Sequence, residues 1–260
     1  MFSTALCQSA AVRQRLRATT WLAPGLPMEL FLTACAAIGA ALDADVSLRS
    51  ERATSGPPEG APDPFSTGAC DIGFLCVPSY RRLAALDPSP IRLVDAAPVP
   101  ADPRCEGQPV YFAELVVPAG SGCDSLRALD GRVVAGNDPE SLSGRVALDE
   151  ALSHYDGLVV PKRIYTGSHH ASLAALAEGE IDAAVVDSNT LLAAGLPTGC
   201  VVAEVWGPYP VQPVVVASRL DRAVDAHATA ALLAIDEPTL AGTGFVGFAP
   251  PVPLLRSGHT

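Results

Sequence analysis

The order of strands and helix starts between residues 132 and 188 constrains the fold of this chain more than any other feature. An apolar strand at 132–136 runs into the motif N-D-P-E-S-L-S-G, a strand at 163–165 runs into T-G-S-H-H, and a strand at 183–187 ends on a carboxylate. Short apolar strands that alternate with helices predict an α/β fold with mostly parallel sheets. Backbone N–H groups at helix starts attract anions, and serine hydroxyls add donors, so the segment predicts a site for a small polar ligand.

Further strands and helices flank this segment. Apolar periodicity predicts strands at 16–21, 44–49, 71–77 and 91–97, and helices at 28–42, 79–85, 141–152, 171–177 and 221–235. The stretch 55–63 is rich in proline and glycine, which predicts an exposed loop.

Two long extended segments, at 110–118 and 201–218, lie far apart in the sequence and predict that one lobe is inserted into another. The predicted parts are a first lobe of 15–108 and 207–260, an inserted second lobe of 109–206, and a leader or disordered segment of 1–14. Ligands of open α/β sheets bind outside the carboxyl ends of the strands. We therefore expect the ligand in the cleft between the lobes, with the two extended segments as the hinge.

Composition excludes several kinds of partner. The formal net charge is −11, whereas a nucleic-acid partner requires a basic face, so no nucleic acid is predicted. No uncharged apolar run reaches the length of about 18 residues that a membrane span needs, so no membrane insertion is expected. The start of the chain carries Arg13, Arg15 and Arg17 where an export signal would have an uncharged core. Either the protein is cytoplasmic, or its export signal is missing from this sequence.

The seven cysteines do not identify a compartment, because their number is odd and no C-x-x-C motif occurs. Their scattered positions favour free, buried thiols, with one disulfide between Cys105 and Cys123 as the alternative. None of them has a second Cys or His at the spacing of a tetrahedral zinc site. We therefore expect no metal and no other cofactor.

The candidate ligand-binding residues begin with Ser141, Ser143 and His169, which lie at helix starts. Their hydroxyl and imidazole groups can donate hydrogen bonds to an oxyanion. The alternative is structural, because Asp138 is a good N-cap residue for the same helix and a lone histidine is often only a hydrogen-bonding partner within the fold. Glu140 lies beside the serines, where its carboxylate would repel an anion unless it faces solvent.

Other candidates lie at strand ends and on the first extended segment. Asp187 ends an apolar strand, where it either binds an amine or hydroxyl of the ligand or caps the following turn. Trp21 and Tyr80 lie near strand ends and either form a wall of the cleft or pack in the core. Tyr111 and Glu114 lie on the extended segment, whose alternation should aim one or both of them at the cleft.

Ser143, His169 and Asp187 contain the residue types of a Ser-His-Asp triad. However, no G-x-S-x-G motif is present, and Ser143 lies at a predicted helix start rather than on a strained elbow. Binding without catalysis is therefore the favoured interpretation. A cytoplasmic enzyme or ligand sensor on the same scaffold is the alternative.

Several blocks of the sequence together resemble a known family. They are C-D-I-G-F-L-C-V-P-S-Y-R-R-L at 70–83, Q-P-V-Y-F-A-E-L-V-V at 108–117, L-D-G-R-V-V-A-G-N-D-P-E-S-L-S-G at 129–144 and G-P-Y-P-V-Q-P-V-V-V-A-S-R-L at 207–220. Over about residues 16–250, the chain is similar to the substrate-binding proteins of phosphonate, phosphite and phosphate ABC transporters. These proteins have the two-lobed type II periplasmic binding fold.

The resemblance implies a function, a partner and a location. The ligand-binding residues it implies are Ser141, Ser143 and Gly144 of the S-L-S-G block, His169, Asp187 and Tyr80. It implies closure of the lobes over a small anion, delivery to an ABC permease, a periplasmic location and a monomer. Leu142 stands where the family typically has a hydroxyl, so a less polar ligand, a lipid-like one included, is the alternative.

Overall fold

The computed structural model describes residues 13–23, 25–52, 54–154 and 162–253. All but the last two residues of the predicted leader, 1–14, lie outside the described residues. The strands are β1 (Gln14–Thr20), β2 (Ala44–Ser50), β3 (Ile72–Phe74), β4 (Ile91–Leu93), β5 (Ala97–Pro100), β6 (Val110–Pro118), β7 (Val133–Gly136), β8 (Lys162–Tyr165), β9 (Ala183–Asp187), β10 (Cys200–Pro210), β11 (Val214–Ala217) and β12 (Phe245–Ala249). The α-helices are α1 (Met28–Ala41), α2 (Val77–Ala84), α3 (Ala147–Ser153), α4 (His169–Ala177), α5 (Ser188–Ala194) and α6 (Ala223–Leu233).

The first sheet has the strand order β2-β1-β3-β11-β4, and we call the part of the molecule built on it the first lobe. β1 pairs in parallel with β2 and β3, and β11 lies antiparallel between β3 and β4. Helix α1 buries one face, which includes Leu30, Phe31 and Ile38, in the apolar cluster against this sheet. Such a stripe of apolar residues at helical spacing is what fixes a helix on a sheet.

The second sheet has the order β10-β6-β9-β7-β8, and the part built on it is the second lobe. β7 pairs in parallel with β8 and β9, whereas β6 lies antiparallel between β9 and β10. Apolar clusters cover both faces of this sheet, with Leu115, Val134 and Val185 on one face and Val116, Ala135 and Val186 on the other. A separate two-stranded pair joins β5 and β12.

The predicted α/β architecture is confirmed, but each sheet is mixed rather than mostly parallel. The antiparallel strands are β6, β10 and β11, which carry the chain between the lobes. A parallel neighbour requires a crossover connection, usually through a helix. β11 follows β10 of the second lobe without an intervening helix, and it runs antiparallel to its neighbours β3 and β4 in the first sheet.

Several segments differ locally from the sequence prediction. The strand predicted at 91–97 is divided into β4 and β5, and the prediction did not include α5 or β12. The helix predicted at 141–152 begins as a π-helical turn, Leu142–Val146, and continues as α3. The loop predicted at 55–63 has no regular structure, but it begins buried rather than exposed, since Ser55 is only 7% exposed. π-helical turns are often found at functional sites, so the start of this helix is of particular interest.

The described cysteines are free thiols, of which Cys200 is half-buried and the others are buried. The alternative of a disulfide between Cys105 and Cys123 is therefore wrong. Burial raises the pKa of the Cys105 thiol to about 11. Within the part of the chain that the structure describes, the helices are too short or too polar to cross a membrane.

Candidate ligand-binding site

A cavity of about 360 Å³ lies between the two lobes. From the first lobe its wall includes Trp21, Leu22, Arg52, Thr54, Ser55 and Cys76. From the second lobe its wall includes Asn137, Asp138, Ser141, Ser143, Thr166, His169 and Asp187. Most of these residues follow the carboxyl ends of β1, β2, β3, β7, β8 and β9. The cavity therefore lies where ligands of open α/β sheets bind.

The serine turn, residues 141–146, contributes two buried hydroxyls. Ser141 caps it, since its Oγ accepts a hydrogen bond from the backbone N–H of Gly144 at 3.0 Å. The Oγ atoms of Ser141 and Ser143 are 3.5 Å apart, and both side chains are 2% exposed. The turn has a bond of the π type, from the N–H of Val146 to the carbonyl of Ser141 at 3.2 Å. Buried hydroxyls beside a helix start suit an oxyanion.

His169 faces the serine turn from the start of α4. Its Nε2 lies 3.2 Å from Ser143 Oγ, and Ser168 caps the helix by accepting from the N–H of Ala171 at 3.0 Å. Burial lowers the pKa of His169 to about 3. The imidazole is therefore neutral at ordinary pH, with one ring nitrogen that donates and one that accepts a hydrogen bond and without a full positive charge.

Of the two roles considered for Asp187, the capping role is confirmed and the ligand-binding role stays a prediction. Asp187 caps α5, because its Oδ1 accepts from the N–H of Asn189 at 2.8 Å, and it also lines the cavity. Its Oδ2 accepts from Nε2 of Gln212 at 2.9 Å. Burial raises the pKa of Asp187 to about 7, although the bonds from Asn189 and Gln212 favour the ionised form. Near neutral pH this carboxyl can therefore accept or donate a hydrogen bond.

Asp138 links the two lobes inside the cavity. Its carboxylate accepts hydrogen bonds from the Ser55 hydroxyl of the first lobe, from Nδ2 of Asn137 at 3.0 Å and from the N–H of Glu140 at 2.7 Å. Burial raises the pKa of Asp138. A second direct link is the bond from Thr190 Oγ1 to the carbonyl of Gly25, at 3.1 Å.

The charges around the cavity are sparse. Among the described lining residues, Arg52 is the only lysine or arginine, and it is exposed. Asp138 and Asp187 are buried carboxyl groups, and His169 is neutral. Throughout the described residues, no three His, Cys, Asp or Glu side chains are placed to hold a metal ion together. An anion in this cavity would therefore be held by dipoles and hydroxyls more than by formal positive charge.

The structure brings together some of the predicted site residues and separates others. Ser141, Ser143, His169, Asp187 and Trp21 all line the cavity, and Trp21 is 7% exposed. Whether each of them contacts a ligand stays a prediction.

Tyr80 is not among the lining residues; it is half-buried and packs against the apolar clusters around Phe65 and Tyr111. Tyr111 does not line the cavity either, because it is buried in the core beside Cys76 and Leu142. Burial raises the pKa of Tyr111 well above its usual value, and its hydroxyl interacts with Ser143. Tyr111 thus supports the serine turn from outside the cavity.

Glu114 is occupied by an ion pair away from the cavity, with its Oε1 2.6 Å from Nη2 of Arg104. Gly144 does not line the cavity, but the local packing requires a glycine there. A Cβ on Gly144 would lie 2.0 Å from Oδ1 of Asn137, and one on Gly136 would lie 2.1 Å from the carbonyl oxygen of Gly144. The serine turn can approach the end of β7 only because both positions lack a side chain.

The triad arrangement is incomplete. Ser143 and His169 are within hydrogen-bonding distance, but the Asp187 oxygens are bonded to Asn189 and Gln212. A triad needs the carboxylate to orient the imidazole. In addition, a histidine whose pKa is about 3 is a weak base near pH 7.

Sequence reasoning missed Ser55, Thr54, Asn137 and Gln212 as lining residues and treated Asp138 only as a cap. The N-D-P block beside the serines was a usable signal for Asn137 and Asp138, since both follow a strand end. Ser55 and Thr54 lie in an irregular segment whose sequence does not indicate which lobe face it covers.

Two lobes that enclose a ligand-sized cavity define the class of two-lobed solute-binding proteins. The chain belongs to one family within that class, because the sequence model described as "ABC transporter, phosphonate, periplasmic substrate-binding protein" matches residues 65–253, more than half of the chain. The matched region contains Ser141, Ser143, His169 and Asp187, whereas Trp21 and Ser55 precede it. No curated protein sequence matches the chain.

Solved structures support the two-lobed type II periplasmic binding fold. A binding protein component of an ABC phosphonate transporter from Pseudomonas aeruginosa has a TM-score of 0.66 and 15% identity, covering 92% of this chain and 82% of that chain. PhnD1 from Prochlorococcus marinus in complex with methylphosphonate has a TM-score of 0.67 and 15% identity, covering 90% and 92%. A Xanthomonas citri protein bound to ATP has a TM-score of 0.62 and 15% identity, covering 92% and 91%. At these identities the likeness establishes the fold, which confirms the fold expected from the sequence.

Proposed function

We propose that this protein binds a small phosphonate-like oxyanion in the cavity between its lobes and delivers it to an ABC permease. The observation that carries the proposal is the buried donor group of Ser141, Ser143 and His169, which lies in that cavity. In this group, Ser143 Oγ lies 3.5 Å from Ser141 Oγ and 3.2 Å from His169 Nε2. Membership of the phosphonate-binding family supports the same ligand class.

The anion would be bound by neutral donors. Ser143 and Ser141 each offer a hydroxyl, and His169 offers one ring N–H because its imidazole stays neutral. Hydrogen bonds to a charged acceptor are roughly twice as strong as those between neutral groups, so a few such donors suffice for specific binding. Asp187, whose pKa is about 7, is available to an amine or hydroxyl elsewhere on the ligand.

The size of the cavity favours a phosphonate with an organic substituent over bare phosphate or phosphite. Its volume of about 360 Å³ corresponds to roughly a dozen water molecules at about 30 Å³ each. A tetrahedral oxyanion has few heavy atoms and would leave much of this space to water. Trp21, Leu22 and Leu26 line the cavity and provide apolar contact for a substituent.

We further propose that the protein acts outside the cytoplasm, as a monomer. The family is that of periplasmic substrate-binding proteins, which supports the location. The proposed lobe bounds are 15–108 with 207–260, and 109–206. The sheets support them, since the second sheet takes its strands from β6 to β10.

A ligand screen tests the proposal directly. Thermal unfolding would be followed with methylphosphonate, longer alkylphosphonates, phosphate, phosphite, sulfate and ATP, and positive compounds would be measured by calorimetry. A ligand at a hundred times its Kd stabilises the folded state by about 2.7 kcal/mol. We expect an alkylphosphonate to bind and sulfate not to bind.

Matched variants connect binding to the site. Ser143→Ala and His169→Ala should each weaken alkylphosphonate binding by about tenfold or more, because each removes a buried donor to a charged acceptor. Ser153→Ala and His170→Ala change the same residue types at exposed positions of the second lobe and should bind like the wild type. Absence of binding by every phosphonate, or equal affinities in the site and control variants, would refute the proposed function.

A further inference from the structure

Glu140 stands directly before the serine turn, yet its carboxylate is turned toward the first lobe. Its side chain is 18% exposed. Oε2 accepts hydrogen bonds from Ser79 Oγ at 3.0 Å and from Nη2 of Arg82 at 3.2 Å, and Oε1 accepts from the N–H of Glu59 at 3.2 Å. One carboxylate of the second lobe is therefore held by three donors of the first lobe.

These donors are themselves connected to the wall of the cavity. Ser79 and Arg82 belong to α2, which begins directly after the lining residue Cys76. Arg82 also donates to the carbonyl of Pro57, in the segment that carries Ser55 into the cavity. The N–H of Leu142, in the serine turn, lies 3.4 Å from Cys76 Sγ. The contacts of Glu140 thus join the serine turn to the opposite wall.

We propose that Glu140 is a positioning residue that fastens the two lobes in the closed arrangement, and that Arg82 neutralises its charge beside the anion site. Without Arg82, the carboxylate would stand next to the serines and repel the ligand anion. With Arg82, the same carboxylate contributes contacts between the lobes. The part of this inference that concerns affinity rests on the proposed function, whereas the part that concerns closure does not.

Closure matters for affinity because a ligand that contacts both lobes makes all of its contacts only when the lobes are closed. The apparent affinity equals the intrinsic affinity of the closed form multiplied by the fraction of molecules that are already closed. Contacts between the lobes that form without ligand raise this fraction. The Glu140 contacts are only partly exposed, with the Arg82 side chain at 30%, so water weakens them less than it weakens a surface ion pair.

Small-angle X-ray scattering of the ligand-free protein tests the closure. Glu140→Ala removes the acceptor for all three donors and should give a larger radius of gyration than the wild type. Glu180→Ala, an exposed glutamate of the second lobe, is the matched control and should leave the radius unchanged. Far-ultraviolet circular dichroism verifies that each variant is folded. Equal radii for Glu140→Ala, Glu180→Ala and the wild type would overturn the closure role.

Calorimetry with methylphosphonate tests the neutralisation. Arg82→Gln should raise the Kd by about tenfold, about 1.4 kcal/mol, because it weakens the contact and leaves a carboxylate unpaired near the anion. Adding Glu140→Gln to Arg82→Gln should recover at least about threefold, about 0.7 kcal/mol, because the repelling charge is then gone. No recovery in the double variant would overturn the neutralisation role. If the wild type does not bind methylphosphonate at all, the proposed function fails, while the scattering result still decides the closure role.

Discussion

Replacing Asp187 with asparagine isolates the contribution of a buried carboxyl group to the pH dependence of the free energy of unfolding. The residue is 3% exposed, and its Oδ1 accepts from the N–H of Asn189. The asparagine carbonyl can keep that bond. Gln212 can turn its amide to accept from the new NH₂ group, since its Oε1 has no hydrogen-bond partner among the described residues. Asp187→Asn therefore removes the titrating carboxyl group while the hydrogen bonds to Asn189 and Gln212 can still form.

The size of the effect comes from the shift in the pKa of Asp187. Folding raises it from an ordinary value of about 3.9 to about 7. The folded state therefore binds this proton more tightly than the unfolded state. The stability contributed by the carboxyl group is fully present below pH 4 or so and is lost as the pH rises to about 7. The complete loss is about 4 kcal/mol, of which about 3 kcal/mol falls between about pH 5 and pH 8.

Urea unfolding at about pH 5 and about pH 8 measures how the free energy of unfolding changes with pH in the wild type and in Asp187→Asn. Comparing the two proteins cancels the contributions of all other titrating groups. The free energy of unfolding of the wild type should fall by about 3 kcal/mol more than that of the variant as the pH rises. Asp95→Asn, at an exposed position, should behave like the wild type. Parallel pH profiles for the wild type and Asp187→Asn would refute the assignment of a burial-raised pKa.

Gly144→Ala should lower the free energy of unfolding by about 1–3 kcal/mol, because its Cβ would lie 2.0 Å from Asn137 Oδ1. Gly247→Ala is the matched control, since its Cβ would be 3.8 Å from the nearest atom, and equal melting temperatures would contradict the reasoning. In the native protein at about pH 8, iodoacetamide should alkylate the half-buried Cys200 before Cys76, the pKa of which burial raises to about 12. Mass spectrometry measures the order, and simultaneous labelling of the two thiols would be inconsistent with it.

Local sequence signals were sufficient for the elements that place the serine turn and His169. The strands before them are short apolar runs, and the serine, glycine and histidine residues that follow mark helix starts. Backbone donors at a helix start are a local property, so Ser141, Ser143 and His169 could be named as candidates without knowing how the lobes pack. The sequence resemblance then identified the family.

Side-chain direction on the connecting strands could not be inferred in the same way. Alternation was expected to aim Tyr111 or Glu114 at the cleft, but β6 lies between two strands and is covered on both faces. In such a strand, successive residues are buried on either side, and the pattern does not tell a cleft from a core. The contact between Ser55 and Asp138 could not be inferred either, because the two residues are far apart in the sequence and come together only when the lobes pack.

The absence of a buried lysine or arginine among the described lining residues affects how capture would respond to salt. The protein carries a formal charge of −11, so an incoming anion is repelled at long range, and dissolved ions screen that repulsion. In the proposed complex, the anion inside the cavity would be held by short-range dipoles of the serine turn and His169, which ionic strength hardly affects. Rising salt should therefore speed association and leave dissociation nearly unchanged, the opposite of the behaviour of a site built from arginines.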